Sequence, residues 1–72
     1  MTKTSETLAT NLRVIMARDR ISITKLYIET GVARSTITAY RNGDVSMVNL
    51  SVLEKLANYL NVTVSTLFKE GN

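Results

Sequence analysis

Residues 21–43 read ISITKLYIETGVARSTITAYRNG. Two short helical patterns flank a tight turn at Thr30-Gly31-Val32. Leu26 lies inside the first pattern, and Ile37 and Tyr40 fall on one face of the second. A glycine between helices this short lets the chain pass through a left-handed conformation without a Cβ clash. The second helix then crosses the first and turns its opposite face outward. That layout is a helix-turn-helix at about residues 22–43.

Within it, Ser22 caps a helix over about Ile23 to Thr30, with Leu26, Tyr27 and Thr30 on the inner face. Gly31-Val32-Ala33 is the turn. The next helix runs from about Arg34 to Asn42 and stops at Gly43, a C′ glycine. Upstream, Leu8, Leu12, Ile15 and Met16 fall at i, i+4, i+7 and i+8, predicting a helix over about 6–18 with Ser5 as its N-cap. Arg13, Arg18 and Asp19 lie off that stripe, Arg20-Ile21 is the connection, and residues 1–4 read as a frayed start. Downstream, Asp44 to Val48 is a loop. Asn49 caps a helix over Leu50 to Leu60, with Leu53, Leu56, Ala57 and Leu60 on its stripe; Ser51 with Glu54 offers an alternative capping box. Asn61-Val62 breaks this helix, and Thr63 caps a last short one from Val64 to about Lys69. The expectation is all-α: one compact five-helix domain over residues 1–72.

Composition narrows the function. The 72 residues contain no cysteine and no histidine, which removes disulfides, thiolate metal sites and the commonest general base. No enzyme, cofactor or metal is expected. Nine Lys and Arg against six Asp and Glu leave a charge of +3 and a pI near 9.6, which suits a polyanion partner. No apolar run approaches the ~18 residues of a membrane span, and the polar start at residues 1–6 has no signal-peptide core behind it. A soluble cytoplasmic protein without a membrane partner is expected.

Together these residues resemble the lambda-repressor-like helix-turn-helix domains, the Cro and XRE-type regulators, over about Leu8 to Phe68. The resemblance is carried by Leu26, Gly31-Val32, Ser35-Thr36-Ile37 and Asn42-Gly43, then by Leu56-Ala57 with Leu60, Val62 and Leu67. It implies a sequence-specific DNA-binding transcriptional regulator: a prokaryotic or phage repressor acting as a homodimer on a palindromic operator, with the third helices in major grooves about 34 Å apart. The chain departs from the family in three places. Ile23 replaces the usual Gln at the start of helix two. Tyr27 replaces an Ala, and is expected to open the packing between helices two and three. Met16 and Arg41 stand where many members bury an Arg–Glu pair.

In that geometry the start of the third helix enters the major groove. Helical spacing puts Arg34, Ser35, Thr38 and Ala39 on its outer surface as base-reading candidates. Arg34 matches guanine O6 and N7 as a bidentate donor, Ser35 is a less specific partner, and Ala39 suits a thymine methyl; each also reads as plain exposed surface. The phosphate candidates begin with Ser22, Ile23 and Thr24, whose backbone N–H groups open helix two. Lys25, Thr36, Tyr40, Arg41 and Asn42 complete the set. Asn42 also suits a helix stop, and Tyr40 suits the core with its hydroxyl reaching outward. Arg41 reads equally as solvated or paired with Glu29 or Asp44. Ile23 and Ile28 are expected to be partly exposed, as scattered surface or as a contact for a partner. The dimer patch is assigned to Val62, Val64, Leu67 and Phe68, some of which must also close the core. Two other functions share the pattern: an antitoxin that binds a toxin and its own promoter, and a restriction–modification controller protein. A toxin or an anti-repressor is the corresponding protein partner.

Overall fold

The computed structural model describes residues 3–70. They form five helices and no strand: α1 (Lys3–Arg18), α2 (Ile23–Thr30), α3 (Arg34–Asn42), α4 (Leu50–Leu60) and α5 (Val64–Leu67). The bounds of α2, α3 and α4 are those read from the sequence: Ser22 and Asn49 cap the starts of α2 and α4, and α3 is bounded by the glycine turn before it and by Gly43 after it. The Lys25 N–H donates to the Ser22 hydroxyl (3.0 Å), and the Val52 N–H donates to Asn49 Oδ1 (3.2 Å). Asn49 is thus the cap of α4, and Ser51 lies inside the helix.

The C-terminal ends share one device. Arg20, Gly43 and Asn61 sit at φ 55, 78 and 60. In each case the N–H of the following residue reaches back to a carbonyl of the last turn: Ile21 to Met16 (2.8 Å), Asp44 to Ala39 (2.9 Å) and Val62 to Ala57 (3.0 Å). This closes otherwise unsatisfied helix carbonyls. Glycine takes the left-handed position easily and asparagine tolerates it, whereas arginine there is strained. The connection read at Arg20-Ile21 is therefore a tight helix stop.

Two expectations about α1 are corrected. The helix already includes Lys3 and Thr4, whereas Met1 and Thr2 lie outside the described residues. Ser5 is not its cap; it is buried within the helix, and its hydroxyl donates to the Val45 carbonyl (2.7 Å), tying the α3–α4 loop to α1. At the other end, α5 stops at Leu67 rather than near Lys69. There Asn11 does the work of a cap from a distance: its buried amide donates to the carbonyls of Leu67 (2.7 Å) and Lys69 (3.0 Å).

One core joins the five helices. Leu8, Leu12, Leu26, Ile37, Leu56 and Leu67 are its fully buried side chains. Met16, Val32 and Tyr40 are buried with them. α3 is held between α1 and α2, so its inner face, Ile37 and Tyr40, is fixed and its outer face is presented.

Candidate nucleic-acid interface

The turn before α3 is built by two residues. Gly31 takes φ 77 and its N–H donates to the Tyr27 carbonyl (2.9 Å). Thr30 staples the other side: its hydroxyl donates to the Leu26 carbonyl (2.6 Å) and accepts from the Val32 N–H (3.2 Å). Ala33 then opens α3 without any side-chain cap. The first N–H groups of α3 therefore have no side-chain acceptor, and a helix start in that condition favours an anion.

Arg34 and Ser35 are exposed on this first turn, Thr38 and Ala39 are half-buried one turn on, and Asn42 is exposed at the end. The structure thus brings the four base-reading candidates onto one face, with the free reach concentrated at Arg34 and Ser35. The phosphate candidates flank it: Ser22, Thr24 and Lys25 are exposed at the start of α2, and Ile23, Thr36 and Arg41 are half-buried. Tyr40 is buried, 5% exposed, and its hydroxyl accepts the Asn49 N–H (2.8 Å), so it joins α3 to the cap of α4. Lys25 faces Glu29 one turn later (3.6 Å), a solvent-exposed pair of small energetic consequence. Arg41 pairs with neither Glu29 nor Asp44 among the described residues. Met16 fills the core beside α3 as an apolar group, so the fold closes without the buried ion pair.

Tyr27 does not lie on the inner face. It is 42% exposed, because only Leu26 points into the core at that turn of α2. Helices two and three pack with the tyrosine ring outside, and the Arg34 guanidinium sits over it, 4.7 Å from the centroid. Sequence reasoning missed this support. Its signal was an aromatic seven residues before the arginine across a fixed glycine turn, in a position usually held by alanine.

In the C-terminal segment, Leu67 is wholly buried in the monomer core, and Val62, Val64 and Phe68 are half-buried against it. Ile23 packs partly on the core, and Ile28 stands 64% exposed. A hollow of about 450 Å³ lies between α1 and Lys69-Glu70, where Lys3 and Glu70 form an ion pair (3.1 Å); none of its lining residues belongs to α2 or α3. No group of three or more acidic residues is placed to hold a metal among the described residues, and no helix is long and apolar enough to cross a membrane.

A glycine-turned helix pair whose second helix offers an uncapped start and an arginine-led polar face defines a DNA-binding helix-turn-helix domain. Comparison with known families gives the same class: the model of the Cro/C1-type HTH DNA-binding domain matches residues 11–69. The chain belongs to that family. No curated protein and no solved structure matches it at a significant level.

Proposed function

We propose that the protein is a cytoplasmic transcriptional repressor that reads a palindromic operator as a homodimer, with α3 of each protomer in a major groove. The observation that supports this reading is the outer face of α3, where Arg34 projects from an uncapped helix start onto the Tyr27 ring. In that reading Arg34 reads guanine, Ser35, Thr38 and Ala39 tune the neighbouring pairs, and the start of α2 with Thr36 and Asn42 holds phosphates. Selection of bound sequences from random duplex DNA is the test. Recovery of an inverted repeat supports the reading, and recovery of no consensus overturns it.

The exposed Ile28 supports a second reading, an antitoxin that uses α2 against a protein partner as well as binding its own promoter. A small protein that co-purifies at fixed stoichiometry from native cells, and is released by Ile28→Glu, would establish it.

A further inference from the structure

Beside the reading helix lies a cleft of about 320 Å³ where the end of α1, the start of α2 and the end of α3 meet. Arg13, Arg20 and Arg41 line it, with Ser22 at the α2 edge and Met16 and Ala17 as apolar wall. Its lining contains no carboxylate. Asp19, the residue before Arg20, is already hydrogen-bonded to Arg18 (3.1 Å).

Three features bear on what the cleft could hold. Arg13 Nη1 donates to the Arg41 main-chain carbonyl (3.3 Å), which anchors the Arg13 guanidinium at the end of α3. Arg41 Nε is out of contact with water and has no acceptor, although buried donors are normally satisfied. Arg20 holds the left-handed backbone position at φ 55 that glycine would fill without strain. Cationic side chains gathered around one cleft without a counter-charge are unfavourable in the free protein, and an anion there would supply that charge and give Arg41 Nε an acceptor.

We propose that this cleft is a phosphate site, gripped by Arg13, Arg20 and Arg41, and that its occupant is a phosphodiester of the DNA flanking the bases that α3 reads. This rests on the DNA-binding reading. In a helix-turn-helix the helix preceding the reading helix crosses the DNA backbone, and the cleft opens at the N-terminus of that helix, where the dipole also favours an anion. Ile23, the first residue of α2, brings no donor in its side chain. The arginines supply the grip from α1, the turn after it and α3 instead, as a fork-shaped donor set matched to phosphate oxygens.

The test compares the unaltered protein with Arg13→Gln, Arg20→Gly and Arg41→Gln on a selected duplex and on an unrelated duplex, across a salt series. Each variant is first shown to melt cooperatively. Lys55→Gln, which removes the same charge from α4, is the control. The cleft variants are expected to lose affinity several-fold and equally on both duplexes, with the log–log salt slope shallower by about 1 per bound protomer; the control keeps its slope. The Arg41 Nε–Hε resonance is expected to shift on adding duplex and to stay unmoved by inorganic phosphate at equal concentration. Unchanged slopes in folded cleft variants, or an equal change in the control, overturn the site and leave the DNA reading standing. Saturation by inorganic phosphate alone overturns the phosphodiester as occupant. Failure of the unaltered protein to bind any duplex overturns both.

Discussion

Tyr27→Ala removes the ring beneath Arg34 and nothing from the core. A cation 4.7 Å from the ring centroid is within the range of a cation–π contact. With Tyr27 42% exposed, the contact belongs to the weak, solvated end, about 0.5–1 kcal/mol. If Arg34 donates to guanine from this stacked position, losing the ring frees its rotamers before binding. The cognate site should then weaken by roughly two- to fivefold, since 1.4 kcal/mol is tenfold. Arg34→Ala should cost more, about 1–3 kcal/mol on the cognate site, and should relax the preference at one base pair per half-site. Unrelated DNA should be affected much less by either change. Tyr27→Phe keeps the ring face and should bind as the unaltered protein does. The assay is fluorescence anisotropy of labelled duplexes at one salt concentration, arranged as a double-mutant cycle. Tyr27→Ala should cost cognate affinity only where Arg34 is present. An equal loss in the Arg34→Ala background would refute the reasoning, because Tyr27 would then act on DNA or on the fold by itself.

Arg20→Gly should raise thermal stability: it relieves a left-handed arginine at about 1–2 kcal/mol and returns part of that as unfolded-chain freedom, a net gain of roughly 0.5–1 kcal/mol readable as a higher Tm by calorimetry. Asn11→Ala leaves the carbonyls of Leu67 and Lys69 without that donor and should cost about 1–3 kcal/mol; for a domain of this size that is a Tm fall of roughly 4–8 °C per kcal/mol. Tyr40→Phe removes the acceptor of the Asn49 N–H and should cost about 0.5–1.5 kcal/mol in urea unfolding with no change in DNA affinity. A large affinity loss in that variant, with stability unchanged, would show the hydroxyl on a phosphate instead.

The elements legible in the sequence were those whose signals are local. Gly31 and Gly43 mark stops because a left-handed residue is needed there, and Ser22, Asn49 and Thr63 mark starts because their oxygens accept an N–H three residues on. The outer face of α3 follows from helical periodicity once Ile37 and Tyr40 are fixed inward. The misread features depend on partners far along the chain. A serine before a helical stripe looks like a cap whether or not it is one, and the true partner of Ser5, the Val45 carbonyl, lies 40 residues away. Asn11 is an ordinary mid-helix asparagine until the Leu67 carbonyl, 56 residues later, arrives beside it. Tyr27 reads as inner because it adjoins Leu26, and only the placement of Arg34 across the turn shows what its ring supports. Arg20 carries no sequence mark of a left-handed stop, since that signal is ordinarily a glycine.

The distribution of charge links these departures. Lys3, Arg18 and Lys25 spend their charge on Glu70, Asp19 and Glu29. Arg13, Arg20, Arg34 and Arg41 have no ion pair among the described residues, and all four stand on α1, α3 or the turn leading into α2. With Met16 in the core, no acid is needed opposite it, and Arg41 lines a cleft whose lining contains no carboxylate. The modest overall charge of +3 is therefore concentrated around the helix-turn-helix. Such a concentration steers a polyanion to one face before any base is read. The fold tolerates it because its stability comes from apolar packing and backbone caps rather than from these charges.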